Sequence, residues 1–585
     1  MAVSAIPEYI KRVGVVVPEL AINQQREYGI LHGSQETTYQ KFVSTSFSNQ
    51  SIFIQANPSN MNTITDRTIY LDLPFRIDFV GTAPVGQNLI QTGLDAIRSF
   101  PISAITQTLT VQINNSQFTI QPNELTQPLL RSGHSAEFLD KTMGLCPTAY
   151  DESQEYYDLN LSVRNPLAGY NDSIPGTITG RGAFPYAVLS NTNTTASIQA
   201  RVSEPLFLSP FTDGGDRAPG FVGVQTMSFT WTLGNLARLW SHAVGPGSST
   251  LTSIVVTIEQ PQLLVRYYIP SQRLMSRMSL KNLYSLAQVQ RYVTETGTPV
   301  PATAGVTITS GVVTLGRIPH KMLFFVRERL ADWNATTTDT YFSIDQVQIQ
   351  WGARTSILNT ATQRQLYQIS RKNGVDMSFI QWVGGPTDVL SGTTSSEYGT
   401  VGSILSLLPG EDIGLQENEA PGMSGQFTFQ ITMQVSNRNQ TRQIYPALYI
   451  VAIDEGFLEI NNGVCIPYLG GVSHNDVKMA APVKNDVGEF VTYNTLGGSL
   501  IGGNIFSSIF NAAKKGLKFV NDKVIPVIQT VNKTLGNGKR VTIHRGRGIE
   551  FNEESESEEE VDDKSDSDVE SNTVTRAQLV NRLRR

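Results

Sequence analysis

The segment Thr68–Phe79, with the sequence TIYLDLPFRIDF, alternates apolar and polar side chains with a period of two. Its apolar positions are Ile69, Leu71, Leu73, Phe75, Ile77 and Phe79. Side chains two residues apart lie on the same face of an extended chain, so the segment predicts a β-strand with one buried face. Pro74 falls inside this run. Because proline has no N–H to donate to a neighbouring strand, we expect an edge strand or a bulge there.

The same alternation recurs along the chain, whereas helical periods are few. Further alternating runs are Leu109–Ile120, with a hairpin signal at Asn114-Asn115-Ser116, Met227–Leu233 and Phe427–Val435. The clearest helix signal covers 359–374, where Asn359 or Thr360 can cap the start and Asn373-Gly374 ends the helix. Many short strands joined by loops rich in Gly, Pro and Asn predict an all-β protein of sandwiches or jelly rolls, with short helices in the loops.

The composition agrees with β-structure and excludes several protein classes. Of the 585 residues, 40% are hydrophobic and only 16% are charged, against a typical value of about 25%. The two cysteines, Cys146 and Cys465, are far apart, so a disulfide framework or a cysteine-based zinc site is not expected. The first residues show no basic and then apolar segment, and no window of 18 apolar residues occurs. We therefore expect a protein that assembles inside the cell and is not secreted through a signal peptide.

The length fits two sandwiches followed by a different kind of segment. A single eight-stranded sandwich needs about 150–250 residues, and the composition changes only near Gly470. The polar and basic stretch 271–280 is the expected joint between the two. We expect an N-terminal arm at 1–34, a first jelly roll at 35–270, a second jelly roll at 275–465, a Gly-rich linker at 466–503, an amphipathic basic helix at 504–530 and a disordered tail with an acidic run at 531–585.

The segment 504–530 has the pattern of an amphipathic basic helix. One face carries Phe506, Phe510, Leu517 and Val520, and the lysines beside it are Lys514, Lys515 and Lys518. Such a helix can lie in a membrane interface with its lysines near anionic lipid. It can equally pack under the body of the protein and tether it to an inner surface. The sequence leaves both roles open.

A search for chemistry along the chain gives no catalytic signature. The six histidines are His32, His134, His242, His320, His474 and His544, and no two are within five residues of each other, so the usual metal-ligand spacings are absent. The run Gly422-Met423-Ser424-Gly425 lacks the second glycine of a nucleophile elbow and precedes a strand instead of a helix. We expect neither an enzyme nor a cofactor.

The region Ile318–Gly463 has a specific order of elements. It contains an apolar strand with a basic end (IPHKMLFFVRERL), an alternating strand (SIDQVQIQW), a loop helix (NTATQRQLYQISRKNG), the strand APGMSGQFTFQ and a last apolar strand closed by Asp454-Glu455-Gly456. This order resembles the second jelly roll of the double jelly-roll major capsid proteins of virophages, Polinton-like viruses and adintoviruses, which are relatives of adenovirus hexon. The first half of the chain matches that family only in length and strand pattern.

The resemblance implies a structural role in a virion. Members of that family form homotrimers whose six jelly rolls make a pseudo-hexagonal capsomer of an icosahedral DNA-virus shell. The partners implied are neighbouring capsomers, the penton and minor capsid proteins. The family offers no catalytic residues to transfer to this chain.

A possible processing site lies before the amphipathic helix. The residues Leu500-Ile501-Gly502-Gly503, followed by Asn504, resemble the sites cut by adenovirus-type cysteine proteases, which mature such virions. Two residues without side chains suit a narrow protease cleft. Gly-Gly is also an ordinary linker and occurs twice more nearby, at 470–471 and 497–498. Cleavage and a plain linker are both compatible with the sequence.

The alternative function is a receptor-binding spike, or a spike that binds or cleaves glycans. Its binding platform would come from the five tryptophans Trp231, Trp240, Trp333, Trp351 and Trp382. Trp231 and Trp351 are in phase with alternating strands, which favours burial in a core instead. An exposed aromatic groove would distinguish the spike from the capsid protein.

Overall fold

The protein is described here from a computed structural model. It describes residues 40–58, 63–91, 95–133, 154–155, 184–211, 220–242, 247–268, 281–391, 394–416, 419–461, 463–469, 539–543 and 549–553. We call the part at 40–268 the first roll and the part at 281–469 the second roll. The predicted arm at 1–34, joint at 271–280 and helix at 504–530 lie outside the described residues, and the domain boundaries remain predictions.

The first roll contains two main antiparallel sheets. One sheet has the order β1 (Gln40–Val43), β14 (Gln262–Val265), β5 (Tyr70–Thr82), β10 (Thr195–Pro205) and β9 (Tyr186–Asn191), with β13 (Thr250–Ile258) also paired to β5. The other has the order β2 (Ser46–Phe47), β3 (Ser51–Gln55), β11 (Met227–Leu233), β7 (Thr106–Ile113) and β8 (Ser116–Ile120). Two short pairs join β6 (Asp95–Ile97) to β12 (Trp240–His242) and β4 (Ile64–Thr65) to β15 (Tyr267–Tyr268). The alternating residues that predicted these strands are buried, as at Phe75 and Phe229.

The second roll repeats this architecture. One sheet has the order β16 (Lys281–Glu295), β26 (Pro446–Asn461), β19 (Lys321–Glu328) and β24 (Leu405–Leu407), with β27 (Val464–Leu469) also paired to β26. The other has the order β17 (Gly305–Thr309), β25 (Ser424–Ser436), β20 (Ser343–Trp351) and β21 (Arg354–Ile357), with β18 (Val313–Arg317) also paired to β25. The loop hairpin pairs β22 (Pro386–Ser391) with β23 (Thr394–Gly399). Phe324 and Phe429 stack between the two main sheets with 5.5 Å between ring centroids, so the sheets share a core.

Strand β5 confirms the alternating segment and decides between the two expectations for Pro74: the strand is not at an edge, and the register against β13 and β14 shifts by one residue at the proline. The strand lies inside the six-stranded sheet, and its pairing with β10 runs through Pro74 opposite Arg201 without a register shift. On the other side, the paired part of β13 ends opposite Phe75 and that of β14 begins opposite Asp72. The Pro74 carbonyl accepts from the Glu259 N–H at 3.0 Å, so the proline nitrogen faces this gap. The missing N–H therefore costs no ladder bond.

The predicted hairpin at Leu109–Ile120 is confirmed. Strands β7 and β8 pair from Leu109 opposite Ile120 to Ile113 opposite Ser116. The turn places Asn114 at φ 51°, in the left-handed region that asparagine tolerates better than most residues. The hairpin projects this turn toward the second roll, as described below.

The helices are short and lie in loops: α1 (Pro101–Ile105), α2 (Pro122–Gly133), α3 (Gln363–Lys372) and α4 (Phe379–Trp382). The helix predicted at 359–374 is α3, but its cap is Thr362 and not Asn359 or Thr360. The Thr362 side chain accepts from the Gln365 N–H, and the Gln365 side chain accepts from the Thr362 N–H at 2.8 Å. This reciprocal capping box satisfies two N–H groups at once, which a single cap earlier in the chain would not do.

The C-terminal unit is described only where it forms a hairpin of its own. Strand β28 (Lys539–Ile543) pairs with β29 (Ile549–Glu553) in antiparallel register. The structure differs here from the disordered tail expected at 531–585. Each strand contains β-branched or aromatic residues, which favour strand pairing. The site expected at Leu500–Asn504 lies outside the described residues.

The backbone conformation of Gly402 provides a test of the second roll. Gly402 has φ +99°, and a Cβ there would lie 1.8 Å from the Tyr341 carbonyl oxygen. We expect Gly402→Ala to lower the free energy of unfolding by about 2–4 kcal/mol, measured by urea denaturation. Gly311, where a Cβ would meet nothing within 4 Å, is the matched control, and Gly311→Ala should stay within about 0.5 kcal/mol. Equal effects of the two substitutions would contradict the fold at this loop.

Candidate functional site at the seam between the two rolls

Buried polar residues are concentrated where the two rolls meet, and we call this contact zone the seam. The β7–β8 turn of the first roll reaches β27 of the second. The Cys465 N–H donates to Asn115 Oδ1 at 2.7 Å, and Ser116 Oγ donates to the Cys465 carbonyl at 2.5 Å. Burial raises the pKa of the Cys465 thiol to about 11, so it stays protonated and unreactive at neutral pH.

A second contact surrounds Tyr284 at the start of β16. Its hydroxyl oxygen accepts from the Val222 N–H of the first roll at 2.8 Å, and its ring lies 5.1 Å from that of Phe221. The guanidinium carbon of Arg67 lies 5.0 Å from the Tyr284 ring centroid and 5.1 Å from that of Phe221. The cation therefore lies against an aromatic pair that is shared by the two rolls.

The residues Gln154 and Glu155 of the first half of the chain are buried against the second roll. The Gln154 amide nitrogen lies 2.6 Å from the Tyr341 carbonyl oxygen and 2.8 Å from that of Val401. Glu155 Oε1 accepts from the N–H of Thr441 at 2.8 Å and from its hydroxyl at 2.9 Å. These side chains satisfy loop groups of the second roll that would otherwise be buried without partners.

The C-terminal end of helix α2 docks into the second roll. Lys321 Nζ donates to the Ser132 carbonyl at 2.7 Å, and the Asp376 N–H donates to the Arg131 carbonyl at 2.8 Å. A cation suits the free carbonyls and the negative end of the dipole at this helix terminus. Burial lowers the pKa of Lys321 to about 8, while Glu455 opposes the shift, so the ammonium is still largely charged at neutral pH.

The densest part of the seam is a group of three arginines around one aspartate, which we call the clamp: Arg98, Arg238, Arg327 and Asp339. Asp339 Oδ1 lies 2.5 Å from Arg238 Nη2 and 2.9 Å from Arg327 Nη2. Its Oδ2 lies 3.2 Å from Arg98 Nη1. Arg98 and Arg238 belong to the first roll, whereas Arg327 and Asp339 belong to the second. All four residues are at most 4% exposed.

The clamp is extended by backbone and aromatic contacts. Arg98 Nη2 donates to the Thr337 carbonyl at 2.8 Å. The guanidinium carbons of Arg238 and Arg327 lie 4.6 Å and 4.0 Å from the Trp333 ring centroid. Burial by itself would raise the pKa of the Asp339 carboxyl, but the three guanidinium groups outweigh burial and hold that pKa well below its usual range. The carboxylate therefore stays charged inside the protein.

The described residues also contain a His–Asp pair of the kind that occurs in hydrolases. His242 Nδ1 lies 2.6 Å from Asp95 Oδ1, while His242 Nε2 lies 2.8 Å from the Ser249 carbonyl oxygen. A hydrolase would need Nε2 to accept a proton from a nucleophile, and here a carbonyl occupies that position. Within the described part of the chain, no group of three or more His, Cys, Asp or Glu side chains could hold a metal ion. The pair joins β12 to β6, and the Ser249 contact joins His242 to the segment before β13.

The sequence-based site residues fall into two groups. The proposed cleavage site at Leu500–Asn504 and the helix residues from Phe506 to Val520 lie outside the described residues. The five tryptophans are described, and each is at most 2% exposed. They are core residues and form no aromatic platform, so the spike alternative is not favoured.

Sequence reasoning missed the clamp and Lys321. One signal was present: in a chain with only 16% charged residues, Lys321 and Arg327 flank the apolar run MLFFV. A strand buried on both faces usually carries no charge unless that charge is paired. The partners could not be found because Arg98 and Arg238 are far from Asp339 in sequence.

Comparison with known proteins agrees with this geometry. Two family profiles match consecutive parts of the chain: the first domain of the Sputnik virophage major capsid protein at residues 9–268, and the C-terminal domain of major capsid protein V20 at residues 289–456. The putative capsid protein V20 of Sputnik virophage is 32% identical over 556 residues, which is 90% of each chain. The chain belongs to the virophage major capsid protein family.

Solved structures show the same fold. The cryo-EM structure of the Sputnik virophage matches with a TM-score of 0.71 and 32% identity, over 85% of this chain and 99% of the other. The crystal structure of the mavirus major capsid protein matches with a TM-score of 0.65 and 15% identity, over 83% of this chain and 98% of the other. The expected double jelly-roll fold is confirmed. This capsid protein is thus a virion component that assembles with neighbouring subunits into a shell.

Membrane contact is a separate matter. Among the described residues, no helix is both long enough and apolar enough to cross a bilayer.

Three buried groups make the stability of this capsid protein depend on pH in the same direction. Burial raises the pKa of Glu204 to about 7, against opposing hydrogen bonds from Ser103 and Ile102, and raises that of Asp454 to about 6, against Arg317. Burial acts to lower the pKa of His242, but Asp95 outweighs it and the pKa is raised. A raised folded-state pKa contributes stability that is complete below the unfolded pKa and is lost as the pH rises through the folded pKa.

We therefore expect the protein to become more stable as the pH falls from 8 to 5. Glu204 should contribute about 2–3 kcal/mol to this increase in the free energy of unfolding, which urea denaturation measures at each pH. Glu204→Gln should lose that part of the pH dependence. Glu259→Gln, at a partly exposed carboxylate bonded to Gln199 at 3.0 Å, is the control and should keep it. If the free energy of unfolding of the wild type decreased as the pH was lowered from 8 to 5, the assignment would be contradicted.

Proposed function

We propose that this capsid protein forms homotrimeric, pseudo-hexagonal capsomers of an icosahedral DNA-virus shell. The observation that supports the proposal is the repeat within one chain: each protomer carries two jelly rolls of similar build joined by a buried seam. Three protomers would then present six jelly rolls, which is the number that tiles a hexagonal lattice position. The expected partners are neighbouring capsomers, the penton and minor capsid proteins.

The described surface suits repeated contact with other subunits. With only 16% charged residues, the chain can bury surface without desolvating many charges. The loops between strands, such as the segment that carries α3 and α4, can vary in contact without disturbing the cores. The proposal includes no catalytic activity and no cofactor, and the occupied Nε2 of His242 supports that view.

We also propose two roles for the tail, which rest on its sequence alone. A viral maturation protease would cut after Gly503. The released helix, with Phe506 and Phe510 on its apolar face, would contact an anionic membrane or the inner face of the shell. The lysines at 514, 515 and 518 supply the charge for either contact.

The trimer is tested by the mass of the soluble recombinant chain. Native mass spectrometry and size-exclusion chromatography with light scattering at micromolar concentration should give three times the chain mass of 64.2 kDa at several salt concentrations. A glycan-hydrolysis assay on the same sample should show no turnover. A preparation that is chiefly monomer or dimer at every salt concentration would rule the trimer out.

Cleavage is tested by the intact mass of the protein from mature virions. We expect a chain that ends at Gly503, and a full-length chain with Arg585 still attached would exclude cleavage. A peptide covering 504–530 should then release dye from anionic liposomes. The same peptide with Phe506→Ser and Phe510→Ser keeps the lysines and should lose the activity, because its apolar face is gone.

A further inference from the structure

The clamp differs from the other seam contacts in what its loss would leave behind. The Gln154, Tyr284 and Lys321 hydrogen bonds each join a side chain to neutral backbone groups, and the Glu124–Arg291 pair at 3.0 Å joins one carboxylate to one arginine. Loss of one such contact would leave one polar group without a partner. Loss of Asp339 would leave three guanidinium groups close together, and all three are at most 2% exposed. Like charges confined in a low-dielectric interior repel strongly.

The clamp is also complete only when both rolls are folded and docked. The first roll supplies Arg98 and Arg238, which are fixed to each other because Arg98 Nε donates to the Arg238 carbonyl at 3.0 Å. The second roll supplies the carboxylate on the loop that follows Trp333. Two hydrogen bonds from the first roll hold the start of that loop. Asn235 Nδ2 donates to the Trp333 carbonyl at 2.7 Å, and the His242 N–H donates to the Ala335 carbonyl at 3.0 Å.

We infer that Asp339 is a positioning residue that couples the two jelly rolls into one cooperative body, and that shell assembly requires this coupling in addition to two folded rolls. A capsid contact involves both rolls of a protomer at fixed relative positions. A protomer with folded but uncoupled rolls would present those surfaces in variable arrangements and would lose assembly. The inference concerns coupling within one chain and does not depend on the number of chains in the capsomer.

The main test compares Asp339→Asn with a matched control. Asp72 is also buried and also pairs with an arginine, Arg201, but both residues lie in the same sheet of the first roll. Asp72 Oδ1 further accepts from Ser203 Oγ at 3.0 Å, so Asp72→Asn removes a buried carboxylate within one roll, next to an arginine whose side chain is 54% exposed. Differential scanning calorimetry of the full chain reports coupling, and small-angle X-ray scattering reports whether the rolls stay docked.

We expect one calorimetric transition for the wild type and for Asp72→Asn, and two separated transitions for Asp339→Asn. The radius of gyration should rise only in Asp339→Asn, and its yield of assembled particles should fall at least tenfold while Asp72→Asn still assembles. A single transition for Asp339→Asn with unchanged radius and normal assembly would overturn the inference. If Asp339→Asn showed two transitions and still assembled at the wild-type yield, the claim that shell assembly requires the coupling would be overturned.

A rescue experiment keeps the inference testable if Asp339→Asn does not fold. Asp339→Gly removes the carboxylate and leaves a space beside the three arginines, which formate can enter. We expect refolding yield and the single transition to return with millimolar formate, because its charge replaces that of Asp339. Formamide has similar size without charge and should have no effect. Equal recovery with both compounds, or with neither, would show that the charge of Asp339 is not what joins the rolls.

Discussion

A carboxylate buried among three arginines is the constraint on which the arrangement of this capsid protein depends. The apolar side chains of the two rolls form one continuous buried cluster, but apolar contact is non-directional and does not by itself set the angle between the rolls. Asp339 pairs with Arg327 of its own roll, and it reaches Arg98 and Arg238 of the first roll only when the two rolls are aligned as they are here. Since unpaired buried charges are costly, arrangements that miss this alignment are strongly disfavoured.

Two kinds of interaction therefore have different roles in this protein: apolar burial stabilises the rolls, and directional contacts orient one roll relative to the other. Apolar burial is non-directional and supplies most of the favourable free energy of each roll. Ion pairs and hydrogen bonds are directional, and in this chain several buried ones cross the seam. The same division explains the few charges in the sequence. Several of them are used inside the protein, at the clamp, at Lys321 and at Glu204, so the outer surface is left with still fewer charges to desolvate when subunits pack.

As a capsid protein, this chain acts through the shell that it builds with neighbouring subunits. The His242–Asp95 pair, which on another scaffold belongs to catalysis, here serves to fix a strand against a turn. The tryptophans, which in a glycan-binding protein line a groove, fill cores. Residue types alone do not establish chemistry, because the surroundings of each residue decide what it can do. The 32% identity to the Sputnik capsid protein over 90% of both chains agrees with a structural role.

The sequence by itself determined the strands, the fold class and the family. Alternation with period two depends only on neighbours along the chain, so Ile69 to Phe79 and the hairpin at Asn114 could be predicted without knowledge of distant partners. At the start of α3, local reasoning named Asn359 or Thr360 as the cap, and the cap is the nearby Thr362. It also missed α2, because two prolines and several polar residues are not typical of a buried helix. It left an edge and a bulge open at Pro74, because whether a proline is tolerated depends on which neighbouring strand faces its nitrogen. The seam was decided only by the tertiary structure. Arg98, Arg238 and Asp339 are separated by up to 241 positions, and nothing in their local sequences indicates that they meet. Pairing between distant charges depends on how two whole sandwiches dock, which is a property of the folded chain and not of any segment of it.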